Sequence, residues 1–441
     1  MSSIVPFKGL RFNRNRISFI SRVVAPPYDI IDADKEEELE TKDEHNIVRL
    51  TMGKTPPAGR PEEAYETAAA LLSKWRDKSV LVRDETPSIY IVEQTFSISG
   101  EEFTRWGFVA GVLLEELGEK SVYPHEMTTS FSRSDRYKLV EACDANLSQV
   151  MFIYSDPDGK IDQLVAEQRS ESPIYSFCNS DDVAYRVWQV EDKEWIYRLV
   201  RGIQSQDLVI ADGHHRYESA FNYSRENRSE ETPLGSNLID YVPGFCISVA
   251  NHGLQTLPTH RQVHSKIDFS SNNLVKKLQD SFDFSKLNVR KPETIQHDFD
   301  HACADHESIA CILPGERNVL LTPTEKEELR SRFPDTADSW WELPVSILHY
   351  VVFPDVLSIE PGSDDEAEMV NYIPDAEEVY WGVESGEFDI GFLLPATKPK
   401  DVQRVASSGE RLPMKSTYFY PKIDSGLVIY LHEEQVAERK E

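Results

Sequence analysis

Positive charge is scarce in this chain. Its 441 residues carry 47 lysines and arginines against 76 aspartates and glutamates, a formal net charge of −29. Affinity for nucleic acid comes largely from neutralising phosphates with cations, and anionic membrane surfaces attract proteins in the same way, so this balance works against both partners. The five cysteines, Cys143, Cys178, Cys246, Cys303 and Cys311, are odd in number and scattered, with no Cys-x-x-Cys pair. Neither a disulfide framework nor a zinc ribbon is expected, and the usage fits a reducing, cytoplasmic compartment. No run is apolar enough to span a bilayer, and no apolar signal-peptide segment follows Met1. A Gly-x-Ser-x-Gly elbow, a Rossmann glycine fingerprint and a His-Glu-x-x-His zinc signature are also missing.

What is present is enough apolar material for sizeable cores, 40% hydrophobic and 10% aromatic. The length exceeds what one core usually organises, so two domains are expected, residues 1–265 and 266–441. The patterning is α+β or α/β throughout. Residues 34–42 lack helix breakers and are rich in glutamate, which predicts a helix. Residues 46–51 alternate like a strand. Residues 61–77 place Ala64, Ala68, Leu71, Leu72 and Trp75 at helical spacing behind Pro61, and runs 89–99 and 103–114 predict a hairpin turning at Ser99-Gly100-Glu101. Past residue 266, helical and strand patterns alternate. His297 and His301 stand four apart, but no third ligand is fixed by spacing, so a surface helix is expected there.

One stretch concentrates cations. Leu208 to Ala211 is a short apolar run with the composition of a buried strand; it turns at Asp212-Gly213 and continues as a helix from Tyr217 to Arg225. His214, His215 and Arg216 therefore sit at a helix N-terminus, where unpaired backbone N–H groups and the helix dipole favour anions. Imidazole and guanidinium donors suit phosphate oxygens. Three further sets are candidates. Pro26-Pro27 stiffens the backbone that delivers Tyr28 and Asp29. His125-Glu126 follows a short strand, where a carboxylate can take a proton from a hydroxyl or orient a water. Lys415-Ser416-Thr417 lies in a loop without Walker spacing and offers a phosphate lysine from elsewhere in the fold.

Four stretches together, residues 24–31, 123–126, 210–217 and 413–422, resemble the DUF ten-fifteen family of bacteria and archaea, a domain of unknown function; residues 257–261 also look like it. The Asp-Gly-His-His-Arg core is similar to the signature of the ParB/sulfiredoxin superfamily, which includes nucleotide hydrolases, sulfiredoxin and an ADP-dependent kinase of free serine. The resemblance implies a ParB/sulfiredoxin-like N-terminal catalytic domain and a second, mixed α/β C-terminal domain. It implies a phosphotransferase or phosphohydrolase acting on serine or phosphoserine, with ADP, ATP or water as second party and Mg²⁺ as metal. Asp212, Gly213, His214, His215 and Arg216 then bind phosphates, joined by Lys415 and Ser416. Glu126 is the candidate base and His215 the second catalytic candidate, while Tyr28, Asp29, His125 and Arg136 contact a small phosphate-bearing substrate. The alternative is a nucleotide-binding regulatory module of the ParB type without turnover. No cysteine stands at the turn, which argues against sulfiredoxin-like redox chemistry.

Overall fold

The computed structural model describes residues 3–53, 62–126, 130–229, 231–265, 276–279, 281–303, 308–315, 317–324, 331, 333 and 336–433. The architecture is mixed α/β. No helix among the described residues is long and apolar enough to cross a membrane. Two compact units form, each from separated segments: residues 1–124, 128–254 and 421–441 make the first, and 125–127 with 255–420 the second. The sequence reading places one boundary, near residue 265.

The first unit is built on a nine-stranded mixed sheet. Across it run Val122–Pro124, Leu208–Asp212, Val150–Tyr154, Tyr241–Ser248, Glu101–Leu113, Ile89–Ile98, Ala184–Val190 and Tyr175–Cys178, with Ile4–Val5 on the long strand Glu101–Leu113. The hairpin Ile89–Ile98/Glu101–Leu113 closes on Ser99 and Gly100, both at positive φ (51° and 84°), the conformation that tight two-residue turns require. Leu208–Asp212 is buried along its whole length, runs parallel to Val122–Pro124 and antiparallel to Val150–Tyr154, and bulges between Ile210 and Asp212. Such bulges re-aim the side chains that follow. Alternate strand residues, among them Ile91, Phe108, Phe152, Leu208 and Ile210, pack on Leu164, Leu199, Tyr217 and Ala220 from the helices Lys160–Glu167, Lys193–Ile203 and His214–Asn227.

Two local expectations fare differently. The acidic helix forms as Ala33–Lys42, capped by the Asp32 carboxylate accepting from Lys35 N at 2.8 Å. Residues 46–51, expected as a strand, instead enter the short helix Val48–Thr51. The Asn46 side chain starts it by accepting from Val48 N at 3.0 Å, and six residues buried at every position but Arg49 carry too little periodicity to separate helix from strand. Helix Glu63–Asp77 matches the third expectation from Glu63 onward; Pro61 lies outside the described residues.

The second unit has a six-stranded antiparallel sheet in the order Phe282–Lys286, Val319–Pro323, Ile309–Ile312, Ile390–Leu393, His260–Val263, Val370–Ile373. Helices Ile295–Ala302 and Ala376–Glu384 bury Phe299, Val379 and Val383 against Ala310, Ile312 and Leu393. The segment Leu348–Leu357 is a π-helix with Pro354 inside, a geometry that recurs at functional sites.

Candidate functional site

In the first unit, Asp212 ends the buried strand, and Gly213 turns the chain at φ 91°, a left-handed conformation that costs glycine least. The helix His214–Asn227 begins immediately. Its third residue, Arg216, folds back over the turn: a Cβ on Gly213 would lie 2.8 Å from the guanidinium carbon. Arg216 NH2 donates to Asp212 Oδ2 at 2.5 Å and NH1 donates to the Gln149 carbonyl. Lys422 Nζ donates to the other carboxylate oxygen of Asp212. Burial raises the Asp212 pKa, but Lys422 and Arg216, with a smaller effect from His214, outweigh it and hold the carboxyl well below the usual range. His214 and Arg216 are buried and His215 half-buried. Gly213→Ala combines a left-handed alanine with a collision on Arg216, so a loss of roughly 1–2 kcal/mol is expected from the urea midpoint. An unchanged midpoint would mean that Arg216 does not seat on the turn.

Arg216 also lines a small solvent-open pocket with a cavity volume of about 30 Å³, together with Tyr28, Thr51, Arg136, Asn146 and Ser148. Arg136 lies over the Tyr28 ring, its guanidinium carbon 4.1 Å from the centroid; its NH1 donates to Thr51 O at 2.7 Å and its Nε to Asp135 Oδ2 at 2.7 Å. Burial raises the Tyr28 pKa, while Arg136 and Arg216 act to lower it. Asp29 is exposed in the short 3₁₀ turn Tyr28–Ile30. The loop leading to Tyr28 is held by a pair of backbone bonds between Ala25 and Ser425, and the Ser425 hydroxyl meets that of Ser148 at 2.6 Å. The segment after Pro421 thus supplies Lys422 to the turn, and its Ser425 holds Ser148, a residue of the pocket lining. The geometry gathers Tyr28, Arg136, Asp212, Gly213, His214 and Arg216 into one region of this unit. It adds Thr51, Ser148, Gln149 and Lys422, to which the sequence reading gave no role; only Lys422 lies in a stretch with family likeness.

The candidates His125, Glu126, Lys415 and Ser416 belong to the second unit. His125 is fully buried, with Nε2 2.7 Å from Thr417 Oγ1, and its carbonyl accepts from Leu412 N at 2.8 Å. Glu126 bridges to Leu412, with Oε2 4.0 Å from the His125 ring nitrogen. Lys415 is exposed at φ 55°, and the Ser416 hydroxyl donates to Pro413 O at 2.6 Å. Arg261, fully buried, ties this loop down. Its NH2 donates to Lys415 O at 3.2 Å, its NH1 to Thr259 O, and its Nε to His349 Nε2 at 3.1 Å. His349 Nδ1 lies 2.7 Å from Glu366 Oε1, and Glu366 accepts from the Tyr372 hydroxyl at 3.0 Å and from Gly362 N at 2.5 Å. Burial lowers the Arg261 pKa to about 10, against the pull of Tyr372, Glu366 and Glu126, so the guanidinium stays charged at neutral pH. Neither His349 nor Glu366 carries a sequence signature, because nothing in their spacing announces a buried pair.

Among the described residues, no group of three or more His, Cys, Asp and Glu side chains is gathered to hold a metal ion. Asp212 is already taken by two cations. The described residues offer no protein cage for Mg²⁺.

The sequence matches the family described as "Protein of unknown function (DUF1015)" over residues 4–346. Comparison with the curated proteins finds no match. Among solved structures, a conserved hypothetical protein from Pyrococcus furiosus is 16% identical, with 70% of this chain and 92% of that one covered and a TM-score of 0.32. Free serine kinase in complex with AMP is 13% identical over 71% and 95%, with a TM-score of 0.33. SbnI with a C-terminal truncation, from Staphylococcus aureus, is 12% identical over 73% and 87%, with a TM-score of 0.36.

Proposed function

The chain belongs to the DUF1015 family of proteins of unknown function, and from that premise we propose that it is a phosphotransferase or phosphohydrolase acting on serine or phosphoserine. A nucleotide or water is the other party. The observation that carries this reading is the Asp212–Arg216 turn: a left-handed glycine opens a fourteen-residue helix beneath a seated guanidinium, and that guanidinium also lines a pocket. Anions are favoured at such helix N-termini, and Arg216, His214 and His215 add charge and donors. Phosphoryl transfer asks the protein mainly for charge stabilisation and alignment. The same motif carries the ParB/sulfiredoxin likeness.

In this proposal the phosphate rests on Gly213 to Arg216, and His215, half-buried on the first helical turn, acts on the transferring group. The amino-acid part of the substrate occupies the pocket of Tyr28 and Arg136, with Asp29 at its rim. A base takes the seryl hydroxyl proton as the serine oxygen bonds to phosphorus, the role that the family likeness gives to Glu126; the bond from phosphorus to the nucleotide's bridging oxygen breaks, and that oxygen leaves with the electron pair. With water in place of serine's hydroxyl the same groups release phosphate from phosphoserine. His125 is the proposed support of Glu126. Lys415 serves as a further phosphate cation, and Ser416 joins it only by giving up its bond to Pro413.

The test incubates the purified chain with serine or phosphoserine, with and without ADP, ATP or AMP and Mg²⁺, and follows serine, phosphoserine and phosphate. Turnover that falls at least about a hundredfold in Glu126→Gln, while nucleotide affinity stays, is expected for a general base. No turnover in any combination sinks the substrate assignment, and tight nucleotide binding without phosphate release favours a regulatory module instead. Unchanged activity in both His215→Ala and Arg216→Ala removes the site.

A further inference from the structure

Asn146 lines the pocket at Arg216, and a buried histidine holds its side chain. Asn146 Nδ2 lies 2.7 Å from His432 Nε2. An amide nitrogen only donates, so Nε2 accepts and the ring proton is on Nδ1. That nitrogen faces Asp144, 3.4 Å from Oδ1. His432, with smaller effects from Tyr223 and Arg76, holds the Asp144 carboxyl below its usual range against burial, and a carboxylate charge favours the proton on the ring nitrogen that faces it. On the reading that serine or phosphoserine is the substrate, on which this rests, we propose that Asn146 is a specificity-determining residue. Fixed by His432 and Asp144, its amide turns Oδ1 to the pocket and accepts a hydrogen bond from the substrate's ammonium group.

The amide is held in this orientation before any ligand arrives. Asn146 and Ala145 pair with Tyr430 and Leu431 in a short antiparallel ladder, and His432 N extends it by donating to Asp144 O at 3.0 Å. Tyr223 stacks on the imidazole at 5.3 Å between centroids, and its hydroxyl donates to Asp144 Oδ1 at 3.0 Å. Tyr430 meets the same ring edge-on at 6.0 Å. The His432 side chain is only 1% exposed, so no water can take the place of its partners. Turning the Asn146 amide over would set Oδ1 against the lone pair of Nε2, and two acceptors repel. Placed polar groups of this kind fix the orientation of what a small pocket takes.

Size and chemistry then choose the group. A cavity of about 30 Å³ admits one or two groups of a water's size, so one substituent of the amino acid goes inside and the remainder stays at the solvent-open mouth. The carboxylate of serine offers only acceptors and would meet Oδ1 with like charge. Its hydroxyl is the group that exchanges phosphate and stays with the turn at Gly213 to Arg216. The ammonium is the donor that remains. The guanidiniums of the lining oppose it weakly, because Arg136 Nε donates to Asp135 Oδ2 at 2.7 Å and Arg216 NH2 to Asp212 Oδ2 at 2.5 Å, and the substrate's own carboxylate and phosphate offset what is left.

Steady-state kinetics of the full chain with L-serine and with 3-hydroxypropionate, which lacks the ammonium, tests this; phosphoserine and 3-phosphooxypropionate serve in the hydrolytic direction. Serine is expected to be preferred at least about tenfold in kcat/KM, the worth of one hydrogen bond from a charged donor. Asn146→Leu is expected to erase that preference. His432→Phe keeps an aromatic ring against Tyr223 but frees the amide, and is expected to cut the preference about as far, the change falling on KM for serine rather than on kcat. His432→Gln, whose Oε1 can accept from Asn146 Nδ2 in place of the ring, is expected to restore most of it, which a purely structural role for His432 would not require. Equal use of both substrates by the unmodified chain, a preference that survives in Asn146→Leu or His432→Phe, or a His432→Gln no better than His432→Phe would overturn the proposal while leaving the serine reading in place. No turnover of any of the four compounds overturns that reading and the role of Asn146 with it.

Discussion

Replacing Lys422 with methionine is expected to destabilise the first unit by about 3 kcal/mol, the lower end of the cost of stripping one partner from a buried ion pair. Lys422 and Asp212 have side chains only 9% and 10% exposed, so neither charge can turn to solvent once the other is lost. The loss stays at the lower end because Arg216 remains on the second carboxylate oxygen. In the Lys422→Met and Asp212→Asn double variant, the carboxylate left short of one partner is gone but the buried Arg216 loses its counter-charge, so only part of that loss is expected to return. Denaturant unfolding of the four-protein cycle measures the coupling. Losses that simply add would mean that the two side chains do not share a buried pair. A second readout separates packing from the site itself: without Lys422, Arg216 faces the whole carboxylate charge, so binding of inorganic phosphate at the turn is expected to weaken alongside stability.

That lysine also shows where the sequence stops being informative. The turn at Asp212-Gly213 is legible because its chemistry is local: a buried apolar run, a residue suited to a left-handed conformation, then a helix. The hairpin at Ser99-Gly100 is legible for the same reason. Lys422 meets Asp212 across 210 residues of chain, and nothing local marks it; the loop lysine that sequence features favour is Lys415, which is exposed and gives Arg261 only its carbonyl. Arg261 sits in a stretch with family likeness, so its presence was visible, but its partners His349 and Glu366 come from a π-helical segment and from the acidic residues 360–366. Composition reads those residues as a solvated loop. One of them, Glu366, is 2% exposed, accepts two hydrogen bonds and lies against His349. Burial of a charge depends on what the rest of the chain folds over it, and no window of neighbouring residues contains that.

The two units are expected to respond to acid in opposite directions. In the second unit, His260 and His349 are buried and neutral, and burial lowers both from 6.5 to about 4. Their bonds fix the proton. His260 Nε2 donates to Gln296 Oε1 at 2.9 Å while Nδ1 accepts from Leu394 N at 3.2 Å, and His349 takes the opposite tautomer, its Nε2 accepting from Arg261 and its Nδ1 lying 2.7 Å from Glu366 Oε1. Between pH 6.5 and 4 the unfolded chain takes up these protons and the folded unit does not, so stability falls as pH falls, by roughly 3 kcal/mol per histidine at the acid end. In the first unit, burial raises the Asp424 carboxyl from 3.8 to about 7, although Asn179 donates to it at 3.0 Å. Here the folded state holds the proton that the unfolded chain gives up, so between pH 7 and 4 stability rises as pH falls, by roughly 4 kcal/mol. Asp212, held low by its two cations, stays ionised through that window and adds no slope. Hydrogen exchange at pH 7 and pH 5, corrected for intrinsic rates, reads the units separately without assuming one cooperative transition. Strands His260–Val263 and Ile390–Leu393 are expected to lose protection on acidification while Ala184–Val190, next to Asp424, gains it. His349→Gln is expected to be less stable at pH 7 but to lose less on acidification, because one of the two titrating groups is gone. Parallel loss of protection in both units would show that the buried histidines and Asp424 do not govern the acid response.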